Sequence, residues 1–349
     1  MIRADAGSGI GAGHFMRTLA LGEAWIEQRG ETIFLTRCDI PALLERVIQA
    51  GIKVVPLAAS DLPTDLAATL RQLEASRGSG ANPWICVDGY FFTPEYHAAI
   101  RAAGYPLLVI DDNAHLPQYH ASILLNQNIG AESLRYATDP DTKRLLGPAH
   151  TLLRSEFRRR PPSPRYHPPV AKRVLVTCGG ADTARMTARI VSALLGSEVE
   201  GIEIVAVMGA ASPNREEVER LAAAATGNTL QVVCDPPEMR ELLESVDLVV
   251  TAAGSTCWEI SYLGLPALLI VVADNQRGIA DGLHRCGAAV SLGWHESVDT
   301  DMLQASFRSL ATDPQGRAKL SQKSREVVDG QGVLRVIQAV AGAFQTKRF

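Results

Sequence analysis

A histidine at position 14 follows a glycine-rich stretch of the kind that forms ligand-binding loops. Residues 3–17 read RADAGSGIGAGHFMR, where a short apolar segment precedes four glycines and a helical pattern opens near His14. Glycines permit tight turns and let the backbone approach a ligand closely. The positive end of a helix dipole favours the neutral form of a histidine at the helix N-terminus. Neutral imidazole is the form that general-base catalysis requires, so His14 is a candidate base.

Two other interpretations of this stretch compete with catalysis. The glycines resemble the G-x-G-x-x-G fingerprint of dinucleotide-binding folds, but the sixth position is His14 when counted from Gly9 and Ala12 when counted from Gly7. Only the alanine-ended variant of the fingerprint is matched. Thr36-Arg37 follow the strand predicted at 32–35, at the place where a ribose-binding acid would be expected. In the third interpretation, His14 is a structural residue at the start of the helix.

The second half of the chain contains two glycine-bearing turns, each between a predicted strand and a predicted helix. They are TCGGAD at residues 177–182 and AAGST at residues 252–256. Such turns present backbone N–H groups to an anion, although the first is also consistent with a connecting loop that binds nothing. The predicted diphosphate contacts are Gly179, Gly180, Gly254, Ser255 and Thr256.

Polar side chains lie close to the second of these turns in the sequence. Glu259 comes one helical turn after Thr256, and its carboxylate can accept both hydroxyls of a ribose. The alternative is a capping box, in which the acid bonds back to the helix N-terminus. Asn275 and Gln276 follow the next strand and open another helix, where they would hold sugar hydroxyls or phosphate oxygens, or only cap the helix.

Acidic residues in the first half also follow predicted strands. The turn Asp88-Gly89-Tyr90 would aim Tyr90 at a ligand, or the ring would only cover the core. Asp111 and Asp112 follow the next strand, where they would hold a divalent ion or cap a turn. Adjacent side chains point in different directions, which favours the turn. The histidines show no spacing typical of a metal site, so no metal is expected.

Elements that would position these residues alternate along the whole chain. Apolar runs of four to seven residues alternate with segments of helical period, which is typical of βαβ units and parallel sheets. In the first half, strands are predicted at 32–35, 53–56, 84–88, 107–111 and 122–126, and helices at 14–29, 41–50, 64–76 and 94–103. In the second half, strands are predicted at 173–177, 203–208, 230–233, 247–251, 267–272 and 288–292, and helices at 183–195, 215–225, 237–245, 256–263, 276–285, 299–311 and 332–344.

The alternation is interrupted once, at residues 158–169. This segment, RRRPPSPRYHPP, has five prolines and suits neither a helix interior nor a ladder. We interpret it as a solvated linker, with a nucleic-acid-binding arm as the weaker alternative. The chain is therefore predicted to form two doubly wound Rossmann-like α/β domains, 1–157 and 170–349, with the ligand in the interdomain cleft. The last helix would pack back on the first domain.

The composition narrows the class of function. With 46% hydrophobic and 21% charged residues the chain is globular, and a net charge of −4 disfavours nucleic acid as a partner. None of the six cysteines forms a C-x-x-C pair, which indicates reduced thiols in the cytoplasm. The start of the chain lacks a signal-peptide pattern, and the longest apolar run, at 263–273, is too short for a membrane span. The oligomeric state stays open, a monomer included.

Four motifs together resemble a known family. RADAGSGIGAGHFMR, GGAD, AAGSTCWEISYLGLP and the A-x-NQ of residues 273–276 are similar to the UDP-2,4-diacetamido-2,4,6-trideoxy-β-L-altropyranose hydrolases of pseudaminic acid biosynthesis. The resemblance runs from Arg3 to about Arg335, where the closing D-G-x-G-x-x-R pattern ends. It implies the glycosyltransferase B fold, related to the peptidoglycan N-acetylglucosaminyltransferase. It also implies a UDP-sugar substrate and an enzyme that needs neither a metal nor a cofactor.

Individual roles follow from the same resemblance. It implies that His14 activates water, that Tyr90 and Asn275 lie at the sugar, and that Glu259 holds the ribose of UDP. Attack by water on the anomeric carbon would then release UDP with inversion. The further predicted substrate contacts are Gly11, Gly13, Arg17, Asp88 and Gln276. The chain departs from the family in having Ala181 where a serine is common and a bulky Cys257-Trp258 pair, which leaves the identity of the sugar open.

Overall fold

The computed structural model describes residues 1–7, 11–58, 61–78, 83–180, 182, 184–209 and 212–345. The chain divides into two compact α/β units. The first unit contains Met1–Ser155 together with Gly330–Phe349, and the second contains Glu156–Asp329. Two successive doubly wound α/β units are what the alternating pattern of the sequence predicts, and that prediction is confirmed.

The first unit is built on a seven-stranded parallel sheet of order β3-β2-β1-β4-β5-β6-β7. The order reverses at the β1–β4 pair, where Ala4 lies opposite Asp88. Its strands are β1 (Ile2–Ala4), β2 (Ile33–Thr36), β3 (Lys53–Pro56), β4 (Ile85–Asp88), β5 (Leu107–Ile110), β6 (Ile123–Asn126) and β7 (Lys143–Leu146).

Four helices connect the strands of this sheet: α1 (Gly13–Glu27), α2 (Pro41–Gln49), α3 (Leu62–Ala75) and α4 (Pro94–Ala102). Side chains of Asp61 and Thr93 cap α3 and α4, each followed by a proline in the first turn, which is a strong start signal. The short helix α5 (Ser155–Arg158) lies at the boundary between the units.

The second unit has a six-stranded parallel sheet of order β10-β9-β8-β11-β12-β13, which reverses at the β8–β11 pair. Its strands are β8 (Arg173–Thr177), β9 (Glu203–Met208), β10 (Thr229–Cys234), β11 (Leu248–Ala252), β12 (Ala267–Val271) and β13 (Val290–Trp294). Its helices are α6 (Met186–Leu195), α7 (Arg215–Ala224), α8 (Met239–Glu244), α9 (Thr256–Leu263), α10 (Arg277–Arg285), α11 (Thr300–Ala311) and α12 (Pro314–Val327).

The C-terminal helix α13 (Gly332–Gln345) belongs to the first unit, where it packs against α1. The start of α13 also lies close to the backbone of Thr151. Only a glycine fits at position 332, because a Cβ there would lie 2.3 Å from the Thr151 backbone nitrogen. The sequence analysis extends the second domain from 170 to 349, with the last helix packing back on the first domain. In the structure, the residues from 330 onward are part of the first unit. No helix among the described residues is long and apolar enough to cross a membrane.

The Pro-rich segment at 158–169 packs on the second unit, although the sequence predicts a solvated linker. Buried Arg240 donates to the carbonyl oxygens of Phe157 and Arg160, both at 2.7 Å, and of Pro161 at 3.1 Å. Arg317 bonds the Pro168 carbonyl in the same way. These arginines satisfy carbonyl groups that proline-rich backbone cannot pair in a ladder.

Strand β7 and helices α5 and α12 are absent from the sequence prediction. Strand β7 has only Leu145 buried, as an edge strand does, so it lacks a long apolar run. Helix α12 is mostly polar, and its signal is the cap of Asp313 onto Gly316 followed by Pro314. The inner strands were predictable because both of their faces are covered: Ile85 and Val87 face one core cluster while Cys86 faces another.

Candidate functional site

His14 and Asp88 form a hydrogen-bonded pair at the carboxyl edge of the first sheet. His14 lies in the first turn of α1, Asp88 ends β4, and His14 Nδ1 is 2.7 Å from Asp88 Oδ1. Asp88 is buried. An ionised carboxylate only accepts hydrogen bonds, so the Nδ1 atom of His14 carries the proton and donates it. The lone pair of the neutral ring is then at Nε2, the atom available to a general base.

Arg17 lies one helical turn after His14 and links the His14–Asp88 pair, called the dyad below, to a second carboxylate, Asp112. Its Nε and Nη2 atoms donate to the two oxygens of Asp88 at 2.6 and 2.8 Å, and its Nη1 donates to Asp112 Oδ1 at 2.8 Å. Burial opposes the ionisation of Asp88, but Arg17 outweighs it and holds the pKa of Asp88 below its ordinary value. Asp88 therefore remains an acceptor for His14.

Tyr90 contacts both Asp112 and His14. Its hydroxyl donates to Asp112 Oδ2 at 2.9 Å, and its ring meets the His14 imidazole edge-on, with centroids 4.7 Å apart at 88°. The residue is 38% exposed. The structure thus brings together four residues predicted from sequence, which are His14, Arg17, Asp88 and Tyr90.

Asp112 and Asn128 are site residues that the sequence analysis did not assign. Asn128 Nδ2 donates to Asp112 at 2.8 Å. The neighbouring Asp111 points elsewhere and caps its own turn, accepting from the backbone of Asn113 and Ala114 at 2.9 and 2.6 Å. The turn interpretation therefore fits Asp111 only. A signal for Asp112 existed, because it follows β5 at the same edge as Asp88.

Metal binding by the two aspartates was the weaker alternative. Among the described residues, no group of three or more His, Cys, Asp or Glu side chains is arranged to hold a metal ion.

The described part of the glycine-rich loop is a tight turn that leads into α1. Gly11 has φ +75°, in the left-handed region, and its N–H donates to the Gly7 carbonyl at 2.8 Å. A Cβ at Gly11 would meet nothing within 4 Å, so the conformation rather than crowding explains this glycine. Gly13 is the first residue of α1. Gly9, part of the same motif, lies outside the described residues.

A buried ionic cluster lies at the base of this loop, and the sequence analysis missed it. Arg3 pairs with Asp5 and, at 2.6 Å, with Asp65. The backbone N–H and the guanidinium of Arg37 donate to Asp5 at 2.7 and 2.8 Å. A dinucleotide-binding fold places a ribose-binding acid after the second strand, whereas this chain has Arg37 there, bonded to Asp5. The ionic cluster thus argues against the dinucleotide interpretation.

In the second unit, the turn at Gly179 and Gly180 is open but its helix is already capped. A Cβ on either glycine would meet nothing within 4 Å. The carboxylate of Asp182 accepts hydrogen bonds from the backbone N–H groups of Met186 and Thr187, both at 2.9 Å. The N-terminus of α6 is therefore occupied by a side chain, so only the glycine backbone remains for an anion. Ala181 lies outside the described residues.

The turn at Gly254, Ser255 and Thr256 differs, because Ser255 occupies the N-cap position of α9 without a side-chain capping hydrogen bond. A capping box that begins at Ser255 is therefore not formed. Glu259 is in the first turn of α9 and nearly buried.

The amide of Gln276 lies beside this second turn. A Cβ on Gly254 would be 3.9 Å from Gln276 Nε2, while Gln276 Oε1 accepts the Val272 N–H at 3.0 Å. Asn275 is exposed in the short 3-10 turn at Asp274–Gln276. The bulky Cys257-Trp258 pair is buried in the unit and does not crowd the turn.

The chain is similar to known proteins of the glycosyltransferase B fold. Residues 173–332 match the glycosyltransferase family 28 C-terminal domain. MurG of Acinetobacter baumannii superposes with a TM-score of 0.66 at 17% identity, covering 98% of each chain. MnaA of S. aureus, solved with UDP, superposes with a TM-score of 0.68 at 13% identity, covering 99% of this chain and 96% of its own.

The chain has the glycosyltransferase B fold. At these identities the likeness to solved structures establishes the fold alone. Among curated proteins, the spore coat polysaccharide biosynthesis protein SpsG of Bacillus subtilis is 26% identical over 47% of this chain and 48% of its own length. An uncharacterized protein of Methanocaldococcus jannaschii is 23% identical over 79% of this chain and 56% of its own length. The chain thus spans about half the length of these curated relatives.

Proposed function

We propose that this chain is an enzyme that cleaves the glycosyl–diphosphate bond of a nucleotide sugar, with His14 as the general base. The observation that carries the proposal is the His14–Asp88 hydrogen bond of 2.7 Å. It orients the imidazole, directs the basic atom Nε2 away from Asp88, and provides a buried anion that stabilises the imidazolium formed when His14 takes a proton.

The second unit supplies the contacts for the nucleotide in this proposal. Support comes from the match of residues 173–332 to the glycosyltransferase family 28 C-terminal domain. It also comes from the start of α9, where Ser255 makes no side-chain capping hydrogen bond. The diphosphate would bind the backbone at Gly254–Thr256, with Gly179 and Gly180 as secondary contacts. The Glu259 carboxylate would hold the ribose, and the Gln276 amide would bind a phosphate or sugar oxygen. The nucleotide in this proposal is UDP, as the resemblance of the four motifs implies.

The proposed reaction is a single displacement. A nucleophilic O–H group gives its proton to His14 Nε2 and its oxygen attacks the anomeric carbon, while the C–O bond to the diphosphate breaks. UDP leaves with that bonding pair, and the anomeric centre is inverted. The helix N-terminus and backbone donors stabilise the leaving diphosphate without a protein acid. Tyr90 and Asn275 would contact the sugar.

The nucleophile distinguishes two candidate functions. A hydroxyl group of an acceptor makes the chain a glycosyltransferase, and the family match of the second unit favours this function. Water makes it a hydrolase. The motif RADAGSGIGAGHFMR around His14 favours water, because it resembles the UDP-2,4-diacetamido-2,4,6-trideoxy-β-L-altropyranose hydrolases.

A single assay separates the candidates. The purified chain is incubated with a panel of UDP-linked amino sugars, with and without sugar acceptors, and released UDP is measured while NMR follows the anomeric configuration. Release without acceptor identifies a hydrolase, and release only with acceptor identifies a transferase. UDP binding by calorimetry without turnover of any donor would overturn the enzymatic proposal and indicate a binding subunit.

A further inference from the structure

Asp112 connects three side chains of the candidate site. Its Oδ1 accepts hydrogen bonds from Arg17 Nη1 and Asn128 Nδ2, both at 2.8 Å, and its Oδ2 accepts the Tyr90 hydroxyl at 2.9 Å. The side chain is 8% exposed. Burial opposes its ionisation, but Arg17 outweighs this effect and lowers the pKa of Asp112 to about 2. Asp112 is therefore negatively charged at neutral pH.

These contacts divide Arg17 between two carboxylates. Two of its nitrogens bond Asp88 and the third bonds Asp112. The guanidinium is therefore held from two sides, and the two carboxylates together fix its place beside His14.

The position of Arg17 also matters to His14 directly. Arg17 Nη2 lies 3.1 Å from His14 Nδ1, and both nitrogens donate to the same oxygen of Asp88. Without the bond to Asp112, only Asp88 would hold the guanidinium, and its Nη2 donor could shift on the oxygen that it shares with His14. Asp112 thus prevents competition for the acceptor that sets the tautomer of His14.

We propose that Asp112 is a positioning residue for the His14–Asp88 dyad. It anchors Arg17 and keeps the Tyr90 ring against the imidazole. The inference rests on the proposed function, in which His14 is the base; Asp112 itself contacts no reacting atom. The charged or titratable groups that face His14 among the described residues are Asp88 from β4, Arg17 from α1, Asp112 after β5, Tyr90 and, through Tyr90, His115.

The test is the isosteric variant Asp112→Asn. We expect kcat to fall roughly tenfold with KM changed less than about twofold, because the base is misplaced while substrate contacts remain. An unchanged kcat in folded Asp112→Asn would overturn the proposal.

A second readout does not depend on the reaction. Nitrogen-15 NMR of unliganded protein should show the Nδ1–H tautomer of His14 in the wild type and a tautomer mixture in Asp112→Asn. If no donor is turned over, the proposed function fails while the NMR result still decides the role of Asp112. The Nδ1–H tautomer retained in full in the variant would contradict that role. Asp139→Asn is the matched control, because Asp139 pairs with His120 in the same unit and should leave His14 unchanged.

The conservative variant Asp112→Glu guards against a single variant that fails to fold. It keeps a carboxylate for Arg17 and Tyr90, so the Nδ1–H tautomer of His14 should persist and kcat should fall less than in Asp112→Asn. A tautomer mixture in folded Asp112→Glu equal to that in Asp112→Asn would contradict the role of the carboxylate.

Discussion

The two units share the strand order 3-2-1-4-5-6, yet they place opposite kinds of chemistry at the carboxyl edge of the sheet. The first unit fills this edge with paired charges that hold one another in place, such as Arg17 between Asp88 and Asp112. The second unit leaves glycine and hydroxyl turns there, and Ser255 makes no side-chain capping hydrogen bond to α9. In the proposed function one topology thus serves two roles, because a proton acceptor needs a rigid charged frame whereas an anion needs backbone donors.

The strongest test of this division is His14→Ala. We expect kcat to fall by roughly 10²–10⁴-fold, the range typical of a positioned general base. The affinity for UDP in calorimetry should stay nearly unchanged, because the proposed nucleotide contacts belong to the second unit. His120→Ala, which removes a half-exposed histidine of the same unit, serves as the control. Activity above about a tenth of wild type in His14→Ala would show that another group is the base.

A second test asks whether the loss of stability at acidic pH arises in the first unit. His97 is 1% exposed on α4, and burial lowers its pKa from 6.5 to about 4. The fold keeps His97 neutral while the unfolded chain takes up a proton, so its contribution is complete above pH 6.5 and is lost as pH falls toward 4. That loss is about 3 kcal/mol for the cited shift.

His97→Leu should therefore flatten the pH dependence between 6.5 and 4. Hydrogen exchange resolved by unit is the measurement, because two units need not unfold together. Exposed His284→Gln is the control. An equally steep loss of protection in His97→Leu would assign the acid sensitivity to other groups.

A third test concerns nucleotide recognition in the second unit. In Glu259→Gln the Kd for UDP should rise about tenfold, because charge-assisted hydrogen bonds to the ribose are replaced by neutral ones. Calorimetry with UDP and 2′-deoxy-UDP checks the assignment: the wild type should prefer UDP, and the variant should discriminate less. Unaltered discrimination between the two nucleotides would mean that Glu259 does not contact the ribose.

The smallest expected effect separates the two turns of the second unit. Asp182→Ala removes the cap of α6 and should lower the free energy of unfolding of this unit by about 1 kcal/mol. Because the proposed diphosphate contacts are at α9 and the glycines, the Kd for UDP should change less than about twofold. Denaturant unfolding and calorimetry measure the two quantities, with Asp299→Ala, the cap of α11, as a comparison. A UDP affinity that fell in Asp182→Ala alone would place the diphosphate at α6.

The sequence predicted most of the fold because the buried strands are short apolar runs bounded by turns. Arg173–Thr177 and Glu203–Met208 have the predicted bounds, since both faces of each strand are covered. Exposed elements such as β7 and α12 lack that signal. The predicted start of α6 at 183 lies before its observed start at Met186, because the Asp182 carboxylate caps the helix at that residue.

The candidate site was predictable where function concentrates at strand ends, and not where it depends on distant pairing. His14, Asp88 and Tyr90 were found because each follows a strand. Asp112 was recognised as an acid but not as the partner of Arg17, which lies 95 residues away. The same holds for Arg3 and Asp65, which are 62 residues apart.

By itself, then, the sequence determined the two doubly wound units, the glycine turns and the identity of the candidate base. Periodicity and turn chemistry are local properties, readable within one element. Only the tertiary structure decided which carboxylate orients His14 and which helix start is capped. Those outcomes depend on which side chains meet when parallel strands end at one edge, and ion-pair partners are chosen by that proximity rather than by spacing along the chain.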